Sequence, residues 1–296
     1  MTLDESIRTV AVHGSNFHSD DVFAVAALKM IYPGIEVIRT RDEKLLNSAD
    51  IRIDVGFEYN HENRTYDHHQ KGGAGVRDNG IPYSSFGLIW KHYGTEICGS
   101  DEIVSRIDEK IVQKIDGVDA GYFKPRKDDN DRDFYLSSAI SYLNPGWMDN
   151  NPDYDSAFDK AVDFAQDVLK GMIAVEKGRI VARDIVREAI SRQEGKPYII
   201  LDRKCPWEET TINESDALYV ISGYETKWMV SAVPVVHGQY DLRKPFPEDW
   251  AGASPEELQK ISGVSDAMFC HTNRFIASAK SLEGAIKLAE ISSESE

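Results

Sequence analysis

Residues 9–21 have the sequence TVAVHGSNFHSDD. The apolar run at the start predicts a β-strand, the polar stretch after it predicts a loop, and the Ala-rich pattern of Val22–Ile31 predicts a helix. His13, His18 and Asp20 are therefore expected to lie together. In an open α/β sheet, the carboxyl ends of the strands and the helix N-termini that follow them form the crevice where ligands bind.

A second cluster surrounds Asp54. Residues Ile51–Gly56 alternate like a strand and place this carboxylate in an apolar context near the end of the strand. A charge buried there without a partner would be costly. A metal ion, or a bound cation such as Arg, would remove that cost.

Two further clusters follow along the chain. Residues 66–70, YDHHQ, bring the carboxylate of Asp67 and the imidazoles of His68 and His69, and they precede a glycine-rich stretch. Farther on, Asp116 and Asp119 would share one face of their segment if that segment is helical. The chain thus has four clusters of groups that are able to bind a metal ion.

Each cluster also has an ordinary structural explanation when it is taken alone. A lone histidine is usually a surface or hydrogen-bonded core residue, and Asp20 and Asp21 are suited to cap a helix and to interact with its dipole. Asp54 could form a turn, and the later aspartates could lie on a solvated helix face. However, five of the eight histidines fall within residues 1–70, and four of these stand beside candidate carboxylates. The combination therefore favours a metal site.

The composition is that of a soluble globular protein, since 41% of the 296 residues are hydrophobic and 28% are charged. This length allows one or two domains. No N-terminal signal and no apolar run approaching about 18 residues is visible, so neither secretion nor a membrane partner is expected. The three cysteines are widely spaced and form no zinc pattern, which suggests a reducing compartment, and we expect a cytoplasmic location.

The net charge of −16 limits the class of substrate. Proteins that track long DNA usually present a basic surface, because neutralisation of phosphates drives their affinity. An acidic chain does not fit that class. Short oligonucleotides or small phosphate compounds are therefore favoured over long duplex DNA.

The pattern along the chain predicts two domains, residues 1–195 and residues 196–296. In the first part, strand-like and helix-like segments alternate as in βαβ units. Residues 124–132 are polar and predict a solvated loop, while residues 155–193 have the long apolar stripe of a helix. Strand-like segments and a terminal helix, Leu282–Glu290, follow, and the acidic, serine-rich tail is expected to fray.

The order of these motifs resembles that of the DHH phosphoesterase superfamily, which includes RecJ-type exonucleases, oligoribonucleases and family II inorganic pyrophosphatases. More closely, the chain resembles the melanocyte-proliferating-gene protein family, which has also been labelled a family of metal-dependent protein hydrolases. The segments that carry this resemblance are residues 13–21, 53–56, 66–70, 84–87, 243–252 and 269–276. The resemblance implies an α/β fold in which a DHH-type parallel-sheet domain is followed by a smaller mixed α+β domain.

The resemblance also implies two divalent ions that share Asp54. One ion would be bound by His13, His18 and Asp54, and the second by Asp20, Asp54, His68 and Asp119, with Asp119 preferred to Asp116. His18 stands where the wider superfamily has an aspartate. Because an imidazole replaces a carboxylate, the site is expected to prefer Mn²⁺, with Zn²⁺ or Mg²⁺ as alternatives.

Other roles follow from the same resemblance. His69 would face the substrate phosphate, and Asp67 and Asp20 would belong to the catalytic set with it. The second domain would supply groups that bind the substrate, and the candidates are Arg243, Lys244, His271 and Arg274. Solvated surface charge is an equally good explanation for Lys244.

The function expected from these observations is a divalent-metal-dependent phosphoesterase, in the form of an exonuclease on short RNA or DNA that uses two ions to activate water. The alternatives are a small-molecule pyrophosphatase or nucleotide phosphatase, and a non-catalytic metal or nucleotide sensor. The few cations of the second domain weaken the pyrophosphatase hypothesis. Peptide-bond hydrolysis ranks last among the enzymatic hypotheses, because the chain has no His-Glu-x-x-His helix and no serine nucleophile elbow. The sequence does not decide between RNA and DNA, the direction of attack or the oligomeric state, and it favours Asp119 over Asp116 only through the resemblance.

Overall fold

The computed structural model of the protein describes residues 4–123 and 136–295, and its first element is a five-stranded sheet. The strands are β1 (Thr9–Val12), β2 (Glu36–Arg39), β3 (Ile51–Ile53), β4 (Tyr59–Asn60) and β5 (Thr65–Tyr66). Their order in the sheet is β2-β1-β3-β5-β4. The strands β2, β1, β3 and β5 are parallel, and β4 is an antiparallel edge strand. The parallel sheet predicted for the first domain is confirmed.

The helices that accompany this sheet are α1 (Ser19–Ile31), α2 (Glu43–Ser48), α3 (Ser85–Cys98), α4 (Asp101–Ile107), a π-helical turn (Asp108–Val112), α5 (Gln113–Asp119) and α6 (Leu136–Ser141). Helix α1 is buried along most of its length, and it packs against α3. The polar stretch of residues 124–132, which the sequence predicts to be a loop, lies outside the described residues.

Helix α1 begins earlier than the pattern predicts. The apolar pattern starts at Val22, whereas the helix starts at Ser19, with His18 as its N-cap residue. The Asp21 carboxylate accepts a hydrogen bond from the backbone N–H of His18 at 2.9 Å. Asp20 and Asp21 therefore lie in the first helical turn. The first turn of a helix often contains polar residues that accept hydrogen bonds from its free N–H groups, so a search for apolar periodicity places the start of the helix too late.

Strand β3 ends one residue before Asp54. The strand pattern predicts that Asp54 continues the strand, but its φ is +54°, in the left-handed region. Such a conformation is uncommon for a residue other than glycine and is found where the surroundings hold it in place. Asp54 therefore lies directly after the last residue of β3.

The long helix α7 (Tyr154–Ser191) spans the limit between two compact units, Met1–Glu176 and Lys177–Glu296. In its first part, Phe158, Val162 and Leu169 are fully buried, as the apolar stripe predicts. In its last part, Val186 and Ala189 pack against the strands that follow. The periodicity of a helix does not show which sheet its apolar side packs against. The domain boundary predicted between residues 195 and 196, just after this helix, stays a prediction.

The second unit contains another five-stranded sheet. Its strands are β6 (Tyr198–Leu201), β7 (Tyr219–Tyr224), β8 (Lys227–Ala232), β9 (Ala267–Cys270) and β10 (Ile276–Ala279), in the order β6-β7-β8-β10-β9. The first pair is parallel and the others are antiparallel, so the predicted mixed α+β domain is confirmed. The helices of this unit are α8 (Glu208–Glu214), a 3₁₀ turn (Glu248–Trp250), α9 (Pro255–Ser262) and α10 (Leu282–Glu294).

The prediction that the acidic tail frays is wrong as far as Glu294. Helix α10 continues to that residue, and Ser292 is fully buried. Its hydroxyl lies 2.6 Å from the hydroxyl of Tyr219 on β7. Tertiary packing on the sheet thus holds a segment whose composition alone is typical of a loose terminus. Among the described residues, no helix combines the length and the apolar character that are needed to cross a membrane.

Candidate metal centre

The candidate metal centre lies at the carboxyl edge of the first sheet. His13 directly follows β1, Asp54 follows β3, and residues 67–69 follow β5. Because these three strands are parallel neighbours, their carboxyl ends meet at the same edge. The N-terminus of α1 adds Asp20, and the last residue of α5 adds Asp119.

Asp54 stands at the centre of this group and is almost fully buried. Its Oδ2 lies 3.3 Å from Nε2 of His13, and its Oδ1 lies 3.2 Å from Nε2 of His68. The hydroxyl of Ser85, at the start of α3, donates a hydrogen bond of 2.9 Å to the same Oδ1. The two oxygens of Asp54 thus face two different imidazoles, which is the arrangement that a carboxylate shared by two ions needs.

His68 connects Asp54 to the helix residues. Its Nε2 lies 3.0 Å from Oδ2 of Asp119 and 3.6 Å from Oδ2 of Asp20. The sequence predicts that Asp116 and Asp119 share a face if their segment is helical, and α5 is helical through both residues. Asp119 nevertheless reaches the candidate centre while Asp116 does not.

Asp116 has other partners, all of them protein groups. Its Oδ1 accepts hydrogen bonds from the hydroxyl of Ser84 at 2.6 Å and from the N–H of Gly87 at 3.0 Å. Its Oδ2 lies 2.7 Å from Nη2 of Arg77. This environment supports Asp119 as the ligand of the pair.

Three groups of side chains bring potential ligand atoms within 4.8 Å of one another. The groups are His13, His18 and Asp54; then Asp54, His68 and His69; then His18, Asp20 and Asp119. They contain every residue that the resemblance proposes as a metal ligand, and they add His69, for which the resemblance implies contact with the substrate. The division of these residues between two ions stays a prediction.

The donor set fits a divalent cation. Asp20 is fully buried, and its Oδ1 has no hydrogen-bond partner among the described residues. Burial, and then repulsion from Asp54 and Asp119, raise the pKa of Asp20 well above its usual value. A buried carboxylate oxygen without a donor, surrounded by other carboxylates, is stabilised either by a proton or by a nearby cation.

The histidines supply that charge when only protein groups are considered. Burial lowers the pKa of His13, but its contacts with Asp21 and Asp54 outweigh burial and raise it to about 10. The same balance holds for His68: burial opposes the charge, Asp119 and Asp54 favour it, and the pKa rises to about 10. Burial alone would raise the pKa of Asp54, whereas the contacts with His13 and His68 hold it below its usual range. A divalent ion would take the place of these protons, since metal ligands bind in their deprotonated form.

Asp67 binds His69 and the backbone of Phe57. Its Oδ1 accepts a hydrogen bond of 3.0 Å from the N–H of His69 and lies 2.9 Å from Nδ1 of the same residue. Its Oδ2 accepts a hydrogen bond of 2.6 Å from the N–H of Phe57. Asp67 is buried, whereas half of the His69 side chain is exposed. Asp67 therefore orients the imidazole of His69 through its Nδ1, while half of the side chain remains exposed to solvent.

Two residues contact this centre although the sequence does not predict a functional role for them. The sequence predicts Asp21 only as a helix cap, yet its Oδ2 lies 3.2 Å from Nε2 of His13. Ser85, besides its bond to Asp54, donates its backbone N–H to Oδ2 of Asp20 at 3.3 Å. The signal for both residues is their place in segments that carry the resemblance, residues 13–21 for Asp21 and residues 84–87 for Ser85.

The four substrate-binding candidates of the second unit have the following contacts. Arg243 donates to the carbonyl oxygens of Ile212, Ser215 and Ala217 at 2.7–2.9 Å. Lys244 donates to the carbonyl oxygen of Ser295, and Nδ1 of His271 accepts from the N–H of Asn273. The guanidinium of Arg274 lies 3.5 Å from the carbonyl oxygen of Phe246, and the backbone of Arg274 has a φ of +57°. These contacts give Arg243 a structural role within its unit. Binding of substrate by the four residues stays a prediction.

Replacing Arg243 with Met is expected to lower the free energy of unfolding of the protein by about 2–4 kcal/mol, because three carbonyl oxygens lose charged hydrogen bonds. Urea denaturation followed by circular dichroism measures this change. Arg192→Met is the control, since Arg192 makes an exposed ion pair with Glu188, and such pairs contribute at most about 1 kcal/mol. An Arg243→Met variant of unchanged stability with a raised KM would instead assign Arg243 to the substrate.

The family model described as Uncharacterised protein family (UPF0160), with the label MYG1_exonuc, matches residues 9–292 of the chain. A "MYG1 protein" of Dictyostelium discoideum is 32% identical, and the match covers 95% of each chain. A "MYG1 exonuclease" of Homo sapiens is 28% identical over 95% of this chain and 84% of its own. Among solved structures, RecJ of Thermus thermophilus in complex with Mn²⁺ is 12% identical, with a TM-score of 0.29, over 98% of this chain and 53% of that one. A TM-score this low does not define a shared fold.

Proposed function

Since the chain belongs to the family described as Uncharacterised protein family (UPF0160), as the resemblance of its motifs predicts, we propose that it is a divalent-metal-dependent phosphoesterase that acts as an exonuclease on short RNA or DNA. Relatives named "MYG1 exonuclease" support the nuclease class. The observation that carries the proposal is the convergence of His13, His68 and Ser85 on the two oxygens of Asp54.

The proposed ligand sets follow the geometry around Asp54. His13, His18 and Asp54 would hold one ion, and Asp20, Asp54, His68 and Asp119 would hold the second, with Mn²⁺ as the expected metal. Such ions activate a water molecule and neutralise charge on phosphoryl oxygens. His18 is exposed whereas Asp20 is fully buried, so the two sets differ in their access to solvent.

His69 is proposed to contact the phosphate that is cleaved. The contact with Asp67 Oδ1 favours the tautomer with a proton on Nδ1, which leaves Nε2 to face the substrate. From its half-exposed position, the ring is able to bind a phosphoryl oxygen or to pass a proton to the oxygen that departs. Asp67 is then a positioning residue, because its carboxylate acts through His69.

The experiment that tests this function combines metal analysis with turnover. Purified protein is analysed for bound metals and is then assayed on a short labelled RNA, on the matching DNA and on pyrophosphate, with Mn²⁺ added or chelated. Bound metal together with Mn²⁺-dependent shortening of an oligonucleotide supports the proposal. Phosphate release from pyrophosphate alone would select the phosphatase alternative, and bound metal without turnover would indicate a sensor. A protein that binds no metal after reconstitution would refute the function.

Replacing Asp67 with Asn is expected to lower kcat for the oligonucleotide by about 10²–10⁴-fold while the bound metal is retained, because the side-chain amide no longer fixes the proton on Nδ1 of His69. The measurement is steady-state kinetics beside elemental analysis of the same preparation. Asp101→Asn is the control, since Asp101 accepts only from the hydroxyl of Thr95 among the bonds described and lies at the exposed start of α4. A loss of metal in step with the loss of kcat would place Asp67 among the ligands instead.

A further inference from the structure

A cavity of about 570 Å³ opens beside the candidate metal centre, within the first unit. One wall is formed by residues of the centre, which are His13, His18, Asp54, Asp67 and His69. The cavity is also lined by Arg41, Asn47, Arg52 and Phe57, to which the proposed function assigns no role. Ligand sites commonly have volumes of about 300–1,000 Å³, so the space suits a single nucleotide.

Two of these lining residues are arginines, and the sheet topology places both near the candidate metal centre. Arg41 follows β2, whose carboxyl end lies next to that of β1 and therefore next to His13. Arg52 lies on β3, two residues before Asp54, and donates to Oδ1 of Asn47 at 3.3 Å. The acidic lining residues are Glu43 and, within the candidate metal centre, Asp54 and Asp67. Guanidinium groups bind phosphate oxygens through paired N–H donors.

Phe57 is an exposed aromatic residue that lines the cavity. It is 69% exposed, and its backbone has a φ of +56°, a region that bulky residues rarely adopt. Its N–H donates to Oδ2 of Asp67, while Oδ1 of the same carboxylate holds His69. The backbone of Phe57 and the imidazole of His69 therefore contact the same carboxylate, and both residues line the cavity.

We propose that this cavity binds the terminal nucleotide of a single strand, with its base stacked on Phe57 and its phosphate oxygens bound by Arg41 and Arg52. The assignment rests on the proposed function and deepens it, because it names a single-stranded nucleic acid end as the substrate class. Stacking on one aromatic ring accepts every base, since each has a π-face. An inorganic pyrophosphate would leave Phe57 without a partner.

The test measures binding apart from turnover. The affinity of the metal-loaded protein for a fluorescein-labelled tetranucleotide with phosphorothioate linkages is measured by anisotropy. Phe57→Leu is expected to weaken binding by about 5–100-fold, and Phe57→Tyr by less than about 2-fold, since tyrosine keeps the ring. Leucine and tyrosine both adopt the same positive φ with difficulty, so the comparison separates stacking from backbone strain.

A substrate change gives an independent check on the same contact. Tetranucleotides with an abasic residue at the 5′ end or at the 3′ end are titrated against the wild type and Phe57→Leu. One of the two abasic ends is expected to weaken the wild type about as much as Phe57→Leu does, and to weaken that variant no further. Equal losses in both proteins at both ends, or a Phe57→Leu variant that binds like the wild type, would overturn the assignment.

The arginines are tested in the same titration. Arg41→Met and Arg52→Met are each expected to weaken binding by about 10-fold and to reduce its dependence on salt, whereas Arg192→Met, which removes the same charge from the second unit, leaves the affinity unchanged. Arginine variants that bind like this control would overturn the phosphate contacts. If the wild type binds the tetranucleotide in this way but cleaves no phosphodiester, only the proposed function is refuted. If the wild type cleaves oligonucleotides and Phe57→Leu binds the tetranucleotide equally well, only the nucleotide subsite is refuted.

Discussion

Replacement of Asp54 with Asn is expected to reduce oligonucleotide hydrolysis by about 10³-fold or more and to lower the bound metal below the wild-type level. The carboxylate is the group on which His13 and His68 converge, and a neutral amide offers a single weak donor oxygen in place of two charged ones. The measurement is kcat on a short RNA with added Mn²⁺, beside elemental analysis of the same sample.

The fold should survive this substitution, because an amide oxygen still accepts the hydrogen bond from the hydroxyl of Ser85. Asp50→Asn is the matched control. Asp50 also accepts from backbone N–H groups of the first unit, those of Arg8 and Thr9, but it belongs to none of the candidate metal groups. A variant Asp54→Asn that keeps both its metal and its kcat would remove Asp54 from the centre and with it the proposed mechanism.

Replacement of Arg77 with Met is expected to lower the free energy of unfolding by about 3–5 kcal/mol at pH 8, since it leaves the fully buried Asp116 without its cation. Arg77 also donates to Asp108 at 2.8 Å, and this second pair is lost with it. Chemical denaturation at pH 8 and at pH 5 measures the effect. The expected loss is large because the surrounding helices exclude water from the remaining carboxylate.

The loss should be smaller at pH 5, and its sign follows from the titration of Asp116. Burial raises the pKa of this carboxyl to about 6 even though Arg77 opposes the shift, and the folded pKa therefore lies above the usual unfolded value near 3.9. Protonation below about pH 6 then favours the folded state and removes the charge that Arg77 compensates. Without Arg77 the pKa rises further, so Asp116 is neutral in the variant at pH 5.

A double substitution provides the control for this prediction. Asp116→Asn added to Arg77→Met removes the unpaired charge, and it should recover a large part of the lost stability at pH 8. Equal losses for Arg77→Met at both pH values, with no recovery in the double variant, would mean that packing or the pair with Asp108 accounts for the effect.

Local patterns are enough to predict most of the elements that build the centre. The strand Thr9–Val12 is predicted to the residue, because an unbroken apolar run ends at a polar loop. The parallel sheet follows from alternating strand and helix patterns, and it brings His13, Asp54 and His68 to one edge. Ordered parallel strands thus convert sequence motifs that are far apart into a spatial cluster.

The contacts that orient the side chains cannot be predicted in this way. Asp67 binds the backbone of Phe57, ten residues away, and Arg77, in the loop before α3, compensates Asp116 on α5. Neither pair has a periodic signal, because each depends on how loops fold over the edge of the sheet. For the same reason, the sequence does not single out Arg41 and Arg52, and the resemblance favours the cations of the second unit instead.

The long helix α7 has a practical consequence for dividing the protein into fragments. Its last turns carry Val186 and Ala189, whose apolar groups are covered by Ile199 and Val220 of the second sheet. A fragment that starts at residue 196, where the sequence predicts the boundary, would leave that side of the sheet bare and prone to association. A fragment that starts at Lys177 would keep the residues of α7 that cover this sheet. The C-terminal part of α7 therefore belongs to the core of the second unit.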